Sequence, residues 1–344
     1  MIPIDALSWD GSRRSRQSNC QVDASVSLQL LSNLMVKTRL LKLMTLTVLA
    51  VLLTGCTNSK LIIGPLYNRL DDQMRTEFNK LGDFNEVQNS AFEQAVGTFH
   101  VWHRQVDMPK YADLLQEVAD SIAISGTTER DDVARWATKV EDFSRNVREC
   151  HPVNFLFDLT RSLTDQQINF IENRFKSERK KNRERYATQT RQERVDRRLK
   201  NIVKWSGRLG LDFSTAQQDI LREGLSEQVS LRKEYYALSD EWNSNLFVLA
   251  RDQDNPDYHD ALANHMTKLW SLLEDAHPEE WQANRDMWRE KIHTLIGTFS
   301  KEQSSSSSRW LKKMGRTIRS ISNDKPSFNI GSDPAVGCLV ATNN

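Results

Sequence analysis

His100 and His103 stand three residues apart in the stretch Phe99-His100-Val101-Trp102-His103-Arg104. Imidazoles at i and i+3 share one side of a helix and can share a metal ion. Glu93 and Asp107, a turn or two away, are the nearest further ligands. An interhelical or solvent-facing histidine pair has the same spacing and needs no metal. The chain has no His-Glu-x-x-His and no close cysteine pair. Gly-x-Ser-x-Gly, a glycine-rich phosphate loop and a dinucleotide fingerprint are also missing from it. Carboxylates are numerous but scattered, so no two can be chosen as acid and base. The sequence therefore assigns no catalytic residue and no cofactor, and it leaves His100 and His103 as the only metal candidates.

One stretch asks for a partner. From Arg174 to Lys200 there are twelve Lys/Arg against Glu178, Glu184, Glu193 and Asp196. Its densest part carries Arg174, Lys176, Arg179, Lys180, Lys181, Arg183 and Arg185. A helix this basic attracts polyanions with salt-sensitive affinity. It can equally be a solvated face balanced by acidic helices such as those around Asp252–Asp260 and Glu274–Glu280.

A third feature gives an address. Lys37, Arg39 and Lys42 precede the apolar run Leu43–Leu53, and Thr54, Gly55 and Cys56 follow it. Charge, apolar run and small residues in that order form a secretory signal. The run has 11 residues, too few to span a hydrocarbon core about 30 Å thick. Leu53-Thr54-Gly55-Cys56 resembles the bacterial lipobox, whose cysteine is acylated and becomes residue 1 of the mature chain. That resemblance implies a palmitate-bearing lipid anchor on Cys56. One acyl chain anchors marginally and several anchor firmly, at about 0.8 kcal/mol per buried CH₂. Thr57, in place of an aspartate, implies sorting to the outer membrane. An ordinary cleaved signal with a chance cysteine is the alternative. Met35 begins a signal of the usual length, so residues 1–34 are expected to be an over-long gene start, or else a genuine extended leader.

Cleavage before Cys56 leaves 289 residues with 41 basic and 43 acidic side chains. That balance, and an extracytoplasmic address, make nucleic acid an unexpected partner. Cys150 and Cys338 would remain as thiols able to pair in an oxidising compartment. Cys150 is read as structural in spite of its neighbour His151.

The elements that must position these residues read as helices throughout. Charge is abundant, and glycine and proline number only 13 and 8. Apolar residues recur at helical spacing over 61–81, 87–106, from Met108 on, 131–150, 165–186, 193–209, 215–250 (with a possible break), 256–276, 278–299 and 303–321. Four starts share one signature: Asn85…Gln88, Thr164…Gln167, Ser214…Gln217 and Ser300…Gln303, each after an apolar residue. These are capping boxes, in which cap side chain and glutamine satisfy each other's backbone N–H. Their spacings of 79, 50 and 86 residues are not a solenoid period.

Leu163-Thr164-Asp165-Gln166-Gln167, followed by a basic helix, resembles the LTxxQ motif of the Spy-type periplasmic chaperones, which are small helical dimers. A broader resemblance combines the lipobox, Gln88, Trp102-His103-Arg104, Pro109-Lys110-Tyr111, Leu114-Leu115, Gln167, Phe213…Gln217 and a closing amphipathic helix. In order and spacing this is similar to a proteobacterial lipoprotein family of unknown function, over roughly residues 60–320. It implies an all-helical envelope protein and no established catalytic residues.

The expected organisation is thus a gene-start segment 1–34, a signal peptide 35–55, an all-α, multi-helix and possibly elongated bundle over 56–322, and a disordered tail 323–344. The expected function is that of an outer-membrane-anchored, periplasm-facing protein that binds rather than catalyses, with anionic envelope polymers or client proteins as partners. The alternative is an envelope enzyme acting on peptidoglycan or lipid through carboxylates that the fold gathers.

Overall fold

The computed structural model describes residues 64, 67, 69–124, 128–149, 156–208, 210–269 and 271–324. Among them all regular structure is helical: α1 (Leu70–Asn79), α2 (Glu86–Trp102), a π-turn (His103–Asp107), α3 (Met108–Ile122), α4 (Arg130–Glu149), α5 (Phe157–Arg161), α6 (Asp165–Ala187), α7 (Arg191–Arg208), α8 (Thr215–Glu227), α9 (Arg232–Arg251), α10 (Tyr258–Lys268), α11 (Leu272–Ala276), α12 (Pro278–Gly297) and α13 (Lys301–Asn323). The all-α expectation holds. No helix of the described residues is long and apolar enough to cross a membrane. The lipobox Leu53–Cys56, Cys150, Cys338 and the tail from 325 on lie outside the described residues.

Two expected helices are each divided. The 215–250 segment breaks at Gln228, whose ψ of 123° is extended. The break is held from α12: Val229 N–H donates to Asn284 Oδ1 at 2.8 Å, and Asn284 Nδ2 donates to Val229 O at 2.9 Å. The 256–276 segment divides into α10 and α11. Conversely, α2 and α3 run together where the sequence suggested two helices. Pro109 cannot donate to a carbonyl behind it, and its ring crowds that carbonyl. A wide π-turn just ahead, closed by Met108 N–H to His103 O, absorbs this without ending the helical run.

All four capping boxes form with reciprocal bonds. They also join in pairs. Gln88 Nε2 donates to Ser162 O (3.0 Å) and Gln167 Oε1 (3.2 Å), while Gln167 Nε2 donates to Gln88 Oε1 (3.0 Å) and Asp83 O (2.7 Å). The other pair repeats this bond for bond. Gln217 Nε2 donates to Thr298 O (3.1 Å) and Gln303 Oε1 (3.0 Å), and Gln303 Nε2 donates to Gln217 Oε1 (2.9 Å) and Asp212 O (2.7 Å). Even the hydroxyl below each joint matches: Ser162 Oγ to Leu159 O and Thr298 Oγ1 to Leu295 O, both 2.7 Å. The starts of α2 and α6, and of α8 and α13, are thereby bolted together.

The largest core lies where α1, α2, α3, α6, α9 and α13 meet, around Phe92, Phe99, Met108, Ile168, Phe247, Met314 and Ile318. A second core joins α7, α8 and α12 through Leu199, Leu221, Leu225 and Trp288. Burial of each such side chain contributes about 1.5–3 kcal/mol. The most extensive helix pair is α3 with α13. Gly315 lets these two backbones close, since a Cβ there would stand 3.1 Å from Ala112 O.

Candidate functional site

Two constellations of charged and titratable side chains stand out. One is sealed beneath α13 and the other is spread over α6 and α7.

The sealed one contains both metal candidates. His100, His103, Asp107 and Tyr111 follow one another at i, i+3, i+7 and i+11, so the α2–π-turn–α3 run aims them to one side. That side faces the core. His100 is 2 % exposed, His103 1 %, and Arg104 and Asp107 0 %. The solvent-facing alternative for the histidines is thus overturned. Tyr67 Oη lies 2.8 Å from His103 Nδ1, and its ring packs 4.6 Å from that of His100. Arg104 lies 5.0 Å above the Tyr67 ring and donates through Nη1 to Ile321 O (3.0 Å) and Asp324 O (3.4 Å). A buried cation on the last carbonyls of α13 complements the negative end of that helix. Tyr111 donates its hydroxyl hydrogen to Asp107 Oδ2, and Lys110 Nζ stands 4.0 Å from Oδ1.

Burial sets the protonation states. Desolvation, then the Arg104 charge, pulls His100 down to about 3. Desolvation, then His100 and Arg104, does the same to His103, also to about 3. Burial lifts Asp107 to about 6 against the opposing bonds from Tyr111 and Asn146. Tyr67 and Tyr111 are held well above the usual phenol range by burial. Both imidazoles are therefore neutral in the folded protein.

The candidate metal ligands do not converge. Glu93 pairs outward with Arg75 at 2.9 Å, and Asp107 is taken by Tyr111. Among the described residues no three His, Cys, Asp or Glu side chains gather as a metal site would need. The knot ties α2, the π-turn and α3 to the end of α13 through polar contacts.

The basic run divides into two helices at Thr188–Thr190. Part of it turns inward. Arg179 and Arg183 both reach Asp240 on α9, Arg179 at 3.0 Å, and they also donate to Ser239 O (3.2 Å) and Tyr236 O (3.3 Å). Burial, then the neighbouring Arg183, lowers the Arg179 pKa. Lys176 pairs with Glu172 at 2.7 Å and Lys181 with Glu178 at 3.4 Å, both lysines staying exposed along with Lys180. Arg174 and Arg185 are half-buried.

At the elbow of α6 and α7 the arginines meet tyrosines. Arg194 lies 4.3 Å and Arg232 5.0 Å from the Tyr186 centroid; Arg232 is also 6.0 Å and Arg183 5.4 Å from that of Tyr236. Sequence reasoning took the run as one face and missed this Arg–Tyr stack. It also missed the Gln–Gln joints, although the repeated Asp-Phe-Asn/Ser-x-x-Gln was there to be read at Asp83 and Asp212. For the knot the available signal was polar residues recurring on an otherwise apolar stripe.

These features define an all-helical protein with its ionisable knot walled inside and a guanidinium-rich outer elbow. Residues 80–276, more than half of the chain, match the family of unknown function DUF6279, and the chain belongs to that family. The match covers the knot from His100 to Tyr111 and the elbow, and it stops before α13. No curated protein and no solved structure matches the chain.

Proposed function

We propose that this protein is a lipid-anchored helical protein of the bacterial cell envelope, held on the periplasmic face of the outer membrane, that works by binding rather than by catalysis. The observation that carries the anchor is Leu53-Thr54-Gly55-Cys56 directly after a basic segment and an 11-residue apolar run. Binding is supported by where the fold puts its charge. Asp107, His100 and His103, whose acidity is shifted and which could serve acid–base chemistry, are buried. Cationic side chains such as Lys176, Lys180, Lys181 and Arg191 are outside, where a client protein or an anionic envelope polymer could meet them.

The test is metabolic labelling of the full chain with palmitate in a bacterial host, with and without globomycin. Wild type should take up label and accumulate as an uncleaved form under the inhibitor, and Cys56→Ser should take up none. Wild type without label would end the anchoring reading.

A further inference from the structure

We infer that the α6–α7 elbow is a binding site for a phosphate-bearing ligand, built on Arg191, Arg194 and Arg232. This deepens the binding reading and rests on it, but it does not depend on the lipid anchor.

The elbow differs from the rest of the basic run in how its charge is held. Further up α6, the Asp240 carboxylate answers Arg179 and Arg183, and Glu172 and Glu178 answer Lys176 and Lys181. At the elbow the partners are neutral. Arg191 Nη2 donates to the carbonyls of Ser226 (2.5 Å) and Gln228 (3.0 Å). Arg194 donates to Gln189 O and lies against Tyr186. Arg232 donates to Tyr236 Oη at 3.3 Å and lies against both tyrosines. Among the described residues none of these three arginines meets a carboxylate at ion-pair distance. Two of the nearby carboxylates have other partners: Glu193 accepts from Thr190 N–H (2.7 Å) and Thr190 Oγ1 (3.0 Å), and Asp196 pairs with Arg222, while the Arg194 charge acts on Glu193 only at longer range.

Neutral acceptors and ring faces fix a guanidinium in place without cancelling its charge. Three elements build the cluster: α7 supplies Arg191 and Arg194, α9 supplies Arg232, and the end of α6 supplies the Tyr186 platform. Stacking leaves the edge N–H groups of a guanidinium free to fork onto an anion, and it has already removed much of the side-chain entropy that binding would otherwise cost. A phosphate group suits such a cluster best, since its unesterified oxygens are charged at neutral pH and accept from guanidinium forks. A lipid phosphate headgroup and a soluble oligophosphate share that chemistry.

The experiment uses the full chain in non-ionic detergent and isothermal titration at low salt. The probes are inorganic tripolyphosphate, water-soluble dihexanoyl phosphatidylglycerol and poly-glutamate. Wild type should bind at least one phosphate probe more tightly than poly-glutamate, and which of the two it prefers identifies the source. Arg191→Gln/Arg194→Gln should weaken that binding by about tenfold or more, as loss of charge-assisted bonds requires. Lys176→Gln/Lys180→Gln/Lys181→Gln should change it by less than about threefold, in line with exposed screened charges. Arg191→Gln alone removes an exposed side chain that stacks on no ring but also its bonds to Ser226 O and Gln228 O; its thermal melt should stay close to that of wild type and its phosphate binding should still weaken. If the lysine variant abolishes binding and the arginine variants do not, the elbow is refuted while the binding reading survives. Poly-glutamate bound as tightly as either phosphate probe, or no binding of either phosphate probe by wild type, also overturns the inference.

Discussion

The paired glutamine joints lend themselves to a double-mutant cycle. Gln88 is 1 % exposed and links its own cap at Asn85, the carbonyl of Ser162 and the amide of Gln167. Gln88→Ala removes these bonds together. At about 0.5–1.5 kcal/mol net for each bond, and more for a buried group left without a partner, the loss should reach roughly 2–4 kcal/mol. Gln167→Ala breaks the same handshake from the other side. Because Gln88 and Gln167 exchange two bonds, the double variant should lose about 1–2 kcal/mol less than the sum of the singles. The pairing of Gln88→Ala with Gln303→Ala, which belongs to the other joint, should be additive to within about 0.5 kcal/mol. Urea unfolding followed by circular dichroism at 222 nm measures all of these. A Gln88–Gln167 coupling no larger than the Gln88–Gln303 value would show that the joints are four separate caps and that the reciprocal amide contacts add nothing.

Acid should destabilise the fold in a specific way. His100 and His103, lowered to about 3, contribute stability that is present above their unfolded value of 6.5 and is lost as pH falls below it. Asp107, raised to about 6, acts with the opposite sign and relieves part of the loss below that pH. Two groups against one leave a net loss of about 1.4 kcal/mol per pH unit between about 6 and 4, or ~3 kcal/mol in all. Asp107→Asn should steepen the slope, and a flat stability profile over that range would refute the knot's protonation states. Gly315→Ala pushes a methyl to 3.1 Å from Ala112 O and should cost about 1–3 kcal/mol in thermal or urea melts; an unchanged melt would mean that α3 and α13 can part freely.

Helix starts were the most legible part of the sequence. A cap side chain and the glutamine three residues on act within a single turn, so Asn85, Thr164, Ser214 and Ser300 could be read from four neighbouring letters each. What their glutamines do next could not. Gln88 and Gln167 stand 79 residues apart, and no local rule says that two helix starts will meet. The breaks at Gln228 and ahead of Leu272 were blurred for the same reason, since Asn284 fixes the first of them from a different helix. The π-turn was hidden because helical periodicity continues through it on both sides of Pro109. As for the candidate site, the basic run was visible as composition. Which of its cations face a carboxylate depends on Asp240, and which tyrosines take part in the elbow stack depends on Arg232 and Tyr236, all on α9 and not in the run.

Arg104 also has a consequence in time. Its carbonyl partners on Ile321 and Asp324 lie 217 and 220 residues downstream. At a synthesis rate of about 5–20 residues per second, roughly 10–45 s separate the two ends of this clamp as the chain is made. Through that interval the guanidinium, both histidines and the apolar side of α3 have no lid. Contacts of such sequence separation close late and slowly. The closing helix is therefore the last part of this cover to be made. A chain cut short before Lys301 can form its local helices and even its first glutamine joint, yet it keeps an open, polar-lined gash along α3 for proteases to find.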